Sequence, residues 1–171
     1  HVPFLFPDGH QMGWKMQVED AADYIAVVNE LKEKYRDQIK IYVGFEMEYY
    51  PEHFDKMLEY VKKLGAQYLI LGQHFIKNEE EGRPHSAAAG HNEEDLVEYT
   101  DNVIAGIKTG KFLYVAHPDM LNFDGDNDVY IREAKRLCLA AKKHRIPLEI
   151  NLLGLHDSRH YPNELFWQVA G

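Results

Sequence analysis

Three residues stand where α/β proteins tend to place chemistry. Glu46 directly follows the β-prone run IKIYVGF (39–45), His74 follows YLILGQ (68–73), and His117 follows FLYVA (112–116). Carboxylate oxygen and imidazole nitrogen are donors suited to Zn²⁺, Mn²⁺ or Fe²⁺. His1 would close a strand ahead of the first helical stretch, and the last apolar run, PLEINLL (147–153), carries Glu149 and Asn151. One polar residue after a strand is ordinary, because strand ends are turn-rich. Four metal-type donors in that position point to a shared site, since the C-terminal ends of parallel strands form one face and active sites are built there.

The elements that must position these residues are legible as alternating patterns. Positions 18–35 repeat apolar residues at helical spacing through Ala22, Ile25, Val28, Leu31 and Tyr35. Positions 51–64 do the same through Phe54, Met57, Leu58, Val61 and Leu64, with Pro51 suited to a first turn and Gly65 to a C-terminal cap. Further helices are predicted over 93–108, 128–144 and 163–168. Strands separated by helices imply a parallel α/β architecture, either a barrel or a doubly wound sheet, in one domain over 1–171. The connection 77–92 is long for such a unit. It is either a functional lid carrying Arg83, His85 and His91 or a solvated excursion. The chain begins with His rather than Met and ends directly after a helical pattern, so an internal segment of a longer protein is expected.

Composition narrows the function classes. The formal net charge is −9 and the pI about 5.5, which argues against long nucleic acid, whose phosphates are held mainly by Lys and Arg. A small anion held through metal ions is compatible with an acidic chain, because a local cation overrides the global charge. The single cysteine, Cys138, excludes an intrachain disulfide framework and a Cys-rich zinc site; it reads as an apolar filler of its helix. No apolar run approaches the ~20 residues of a membrane span, no signal peptide is visible, and a reducing cytoplasm is the simplest expectation. No glycine-rich nucleotide motif occurs, so no organic cofactor is expected. The run 124–128 looks like a calcium loop but lacks the terminal Glu spacing of an EF-hand. His10, His53 and His144 have no supporting pattern and are expected at the surface.

The segments His1-Val2-Pro3-Phe4, Gly44-Phe45-Glu46, Gly72-Gln73-His74-Phe75, Ala116-His117-Pro118-Asp119 and Glu149-Ile150-Asn151 resemble, in order, successive motifs of the PHP (polymerase and histidinol phosphatase) superfamily. The last two, with Leu153-Gly154-Leu155 and Tyr161-Pro162, resemble its histidinol-phosphatase branch. The resemblance implies a distorted β/α barrel, seven-stranded in the family, with up to three divalent ions (Zn, Mn or Fe). It makes His1, Glu46, His74 and His117 metal ligands, with Glu46 bridging two ions and the last three catalytic. The family's opening His-x-His and closing Asp-x-His are not in this sequence, and the expectation is that they flank a segment truncated at both ends.

The implied reaction is hydrolysis of a small phosphate monoester, first L-histidinol phosphate to L-histidinol and phosphate, as in histidine biosynthesis. Alternatives are a nucleotide or phosphotyrosine substrate, or a catalytically silent barrel used as a binding module. Two readings stay open for Arg159: a bidentate phosphate clamp, or a surface ion pair with Asp157 or Glu164. Glu149 and Asn151 either meet substrate or form a polar layer inside the barrel.

Overall fold

The computed structural model describes all residues except 8, 10, 12, 14 and 80–83; His10 and Arg83, named above, lie outside the described residues. Two of the apolar runs become adjacent parallel strands, β1 (Gly44–Met47) and β2 (Tyr68–Leu71), paired from Gly44↔Tyr68 to Met47↔Leu71. Between them runs α2 (Phe54–Lys63), which buries Phe54, Met57, Leu58 and Val61 on one stripe. Gly65 ends it with φ 84°, a left-handed conformation that glycine adopts without steric cost.

Parallel pairing continues beyond the two named strands. Leu113 N–H donates to Leu69 O (2.8 Å), Leu71 N–H to Tyr114 O (3.0 Å) and Ala116 N–H to Leu71 O (2.8 Å). Val115 in turn pairs with Leu148, and Glu149 N–H donates to Val115 O (2.9 Å). On the far side of β1, Val2 N–H donates to Glu46 O (2.8 Å). The spatial order is therefore the N-terminal segment, β1, β2, the 115 region and the 148 region.

The expected strands differ in extent. The run 39–45 pairs only from Gly44 onward, and Ile39 and Tyr42 stay 59% and 57% exposed, with no sheet face to bury. The runs 112–116 and 147–153 shrink to parallel bridges at Val115 and Leu148. The second of them then turns into a short helix, α5 (Leu152–His156; element numbering follows chain order), because the Asn151 side chain accepts from Gly154 N–H at its N-cap. Short apolar runs suit helix and strand equally, and a cap decides between them.

The helices pack outside this sheet. After a 3₁₀ turn at Val18–Asp20, α1 (Ala21–Lys34) docks mainly through its first turns: Ala21 is buried, and the Tyr24 hydroxyl donates to Gly44 O (2.9 Å). Its predicted stripe is only partly used; Ile25 and Val28 are half-buried, whereas Ala22 and Leu31 are exposed. α3 (Glu93–Lys108) opens with a reciprocal capping box between Asn92 and Asp95. It packs on α4 (Asn127–His144), which packs on α6 (Glu164–Ala170). The acidic run 124–128 serves as the start of α4, with Asp126 accepting from Asp128 N–H (2.7 Å). No helix among the described residues is long and apolar enough to cross a membrane.

His53 departs from the surface position expected of it, and His91 departs from the solvated alternative. His53 is buried, its ring edge-on to Phe6 at 5.2 Å, because the N-terminal segment covers it. His91 is also buried, between Asp95 and the carbonyl of His85. His144 is exposed, as expected.

Cys138 is half-buried against the core, and burial pushes its thiol up to about 11. At pH 8 its thiolate fraction is then roughly 0.1%, against about a quarter for an unperturbed thiol. Alkylation by iodoacetamide is expected to be slower than for free cysteine by about that ratio of thiolate fractions, roughly 250-fold. Labelling at the free-thiol rate would show that the helix does not shelter it.

Candidate metal centre

Strand alternation builds the site. Phe45 and Met47 are buried toward the helices, so Gly44, Glu46 and, just past the strand, Glu48 share the opposite face. Gly72 lies beside Glu46 in the next chain segment, and a Cβ there would sit 2.0 Å from Glu46 Oε1. Only glycine leaves room for that carboxylate.

Around Glu46 the sequence-predicted donors converge. His74 Nε2 lies 3.3 Å and His117 Nε2 3.1 Å from Glu46 Oε1, and His1 Nδ1 lies 3.7 Å from Oε2. The His74 ring is 4.6 Å from that of His1 and 5.0 Å from that of His117. Two donors bound tetrahedrally at about 2.1 Å lie roughly 3.4 Å apart, so these separations suit a divalent ion. Two triplets have their ligand atoms within 4.8 Å of one another: Glu46, His74 and His117, and His1, Glu48 and His74. The buried Nδ1 of His117 and Oε2 of Glu48 have no hydrogen-bond partner among the described residues.

Glu48 is the support that sequence reasoning missed. It is fully buried, accepts from His74 Nδ1–H (2.9 Å) and is paired with Lys15 Nζ (2.6 Å). Lys15 also contacts Glu79, which accepts from the Tyr50 hydroxyl (3.2 Å). Burial opposes ionisation of Glu48, but Lys15 and His74 outweigh it and hold the carboxyl far below its usual range. Lys15 likewise stays raised, despite burial, through Glu48 and Glu79. Burial lifts Glu79. Glu46 is lowered by His117 and His74 against its own burial. The available signal was the two-residue spacing from Glu46, which puts both carboxylates on one strand face.

His117 has a left-handed backbone (φ 31°), unusual for a non-glycine residue. The Glu149 carboxylate accepts from His117 N–H (3.1 Å), and Asn151 Nδ2 donates to Glu149 (3.2 Å). Glu149 and Asn151 thus contact the backbone of a candidate ligand and the α5 cap. Asn151 also lines a cleft of about 490 Å³ beside Glu46, His74 and His117. Arg159 lines the same cleft while donating to Asp157 (2.8 Å) and to the Tyr161 hydroxyl (2.9 Å). Its ion-pair partner is Asp157. His85, from the long connection, is a cleft residue too; burial, then the charges of His74 and His117, lowers its imidazole to about 4.

Parallel strands that end in a shared cluster of imidazoles and carboxylates define an α/β protein with a candidate metal centre. The PHP domain profile matches residues 4–152, and the chain belongs to that family. No curated protein matches. Among solved structures, the chain is similar to a Listeria monocytogenes protein provisionally named a histidinol phosphatase, with TM-score 0.67 and 20% identity over 91% of this chain and 68% of that one. It is also similar to histidinol phosphate phosphatase of Lactococcus lactis subsp. lactis, solved with zinc, L-histidinol and phosphate, with TM-score 0.67 and 17% identity over 100% of this chain and 68% of that one. At these identities the likeness carries the fold.

Carboxylates that orient a ligating histidine usually influence metal affinity 10- to 100-fold. Glu48→Gln is therefore expected to weaken zinc binding by about that factor, read by competition with a chromogenic chelator. Unchanged affinity in a folded variant would remove Glu48 from the site.

Proposed function

We propose that this chain forms part of a PHP-type β/α barrel that hydrolyses a small phosphate monoester using divalent ions, with L-histidinol phosphate as first candidate. The observation that carries the reading is the Glu46 carboxylate held between His74 and His117 at the mouth of a cleft that Arg159 also lines. The Lactococcus relative, with zinc, L-histidinol and phosphate bound on the same fold, supports the substrate class.

Glu46, His74, His117 and His1 would hold the ions. When bound, such ions neutralise phosphoryl oxygens and supply a hydroxide nucleophile near neutral pH. The chain's own groups do the rest. Glu48 keeps His74 Nδ1 protonated and its Nε2 lone pair aimed at the centre. Glu149 holds the His117 backbone in its strained conformation. Arg159, exposed and anchored on Asp157 and Tyr161, can offer guanidinium N–H groups to the phosphate. The oxygen of water would add to phosphorus in line as the P–O bond to the alcohol breaks, and one of the water's protons would end on the leaving oxygen, giving the alcohol and phosphate.

In the full-length protein, exhaustive chelation should abolish phosphatase activity, and Zn²⁺, Mn²⁺ or Fe²⁺ should restore it. Activity that survives metal removal rules out the mechanism. Arg159→Ala should lower kcat/KM about tenfold with metal content unchanged, whereas His117→Ala should lower kcat by orders of magnitude or empty a metal position. Efficient hydrolysis of a nucleotide or phosphotyrosine, with none of histidinol phosphate, would keep the reaction class and change the substrate.

A further inference from the structure

The cleft also contains an imidazole that belongs to neither donor triplet. His85 reaches it from the connection between β2 and α3, and backbone pairing fixes its place. Phe75 and His85 form an antiparallel bridge, and Ser86 N–H donates to His74 O (2.7 Å), so the loop is tied directly to a candidate ligand. Its return is tied as well: Asn122 N–H donates to Ser86 O (2.8 Å), Asp124 N–H donates to His91 O (3.1 Å), and His91 Nε2 contacts His85 O (3.2 Å). The ring centroids of His85 and His74 are 5.6 Å apart.

These two imidazoles are prepared in opposite senses. His74 gives its Nδ1 proton to a carboxylate, which leaves the Nε2 lone pair for a cation. His85 accepts at Nδ1 from Ala87 N–H (3.0 Å). A ring nitrogen that accepts carries no proton, so the neutral ring keeps its proton on Nε2. An Nε2–H group is a donor to an anion and a poor metal ligand. A neutral donor also adds no positive charge beside bound ions.

We propose that His85 positions the substrate by donating its Nε2–H to a phosphoryl oxygen of the bound ester. This rests on the phosphoesterase reading above. A preorganised donor in a partly enclosed cleft holds the phosphoryl group in place for in-line attack, which separates its role from that of the ligands.

The test uses full-length, zinc-loaded protein, with His85→Ala, His85→Gln and, for comparison, His74→Ala. Bound zinc, affinity for inorganic phosphate and kcat/KM are measured for each. Zinc content should stay at the wild-type level in both His85 variants and fall in His74→Ala. His85→Ala should lower phosphate affinity and kcat/KM by roughly ten- to a hundredfold, and Gln, whose amide N–H can replace Nε2–H, should recover much of the loss. Zinc loss in His85→Ala would make it a ligand and overturn the proposal. Unchanged phosphate affinity and kcat/KM would make it a wall of the cleft. If the wild type hydrolyses no monoester, the phosphatase reading fails, yet phosphate affinity of wild type against His85→Ala still decides the role of His85. A zinc-loaded wild type that binds no phosphate overturns both.

Discussion

A carboxylate sealed from water is the constraint on which this structure turns. Glu48 lies at 0% exposure, and its ionised form survives there only because Lys15 and His74 face it. Lys15 is brought from the segment before α1, so neutralising Glu48 also pins that segment across the end of the sheet. Glu79, from the long connection after β2, closes the network on the other side. One buried charge thereby ties together the end of β1, the segment before α1 and the connection after β2. Breaking such a group by removing a single partner typically costs about 3–5 kcal/mol, far more than an exposed pair such as Lys63 with Glu59 contributes.

Three of the imidazoles that line the cleft, those of His74, His85 and His117, show three ways of setting a ring. His74 is oriented by a carboxylate on its far nitrogen. His117 is oriented through its main chain, whose left-handed conformation is held by Glu149 on the amide and by Met120 N–H on the carbonyl (3.0 Å). His85 is oriented by the Ala87 amide. The first and last fix which nitrogen bears the proton, and so which ring can bind a cation and which can donate. The second fixes position alone.

What was legible in the sequence follows from locality. The apolar stripe of α2 and its closing Gly65 are local signals, and the structure reproduces them. Glu46, His74 and His117 could be selected because a residue after a strand is recognisable without knowing its neighbours. The burial of Glu48 depends on Lys15, 33 residues away, and nothing local announces it. His53 was misplaced for the same reason, since what covers it is the N-terminal segment, and the burial of His91 likewise comes from the loop's own return onto α3. The end of the last strand was lost to one side chain, since Asn151 caps a helix that the apolar run alone does not distinguish from a strand.

The two carboxylates of β1 lie two residues apart on one face, yet their surroundings separate them. Glu46 keeps 24% of its side chain exposed at the cleft, with imidazole nitrogens as neighbours, whereas Glu48 is enclosed and answered by a lysine. Lys15 is already shared between Glu48 and Glu79, and the charge of Glu48 still acts on Glu46 in the direction that raises it, against the lowering by His117 and His74. Glu46 is the carboxylate of the pair that faces the cleft, with the imidazole nitrogens of His74 and His117 beside it. A strand that carried Glu46 alone would place the same candidate ligand, but it would take from His74 Nδ1 the carboxylate that accepts its proton. The buried pair therefore belongs to the candidate site as much as the candidate ligands do: it holds the His74 ring by its far nitrogen.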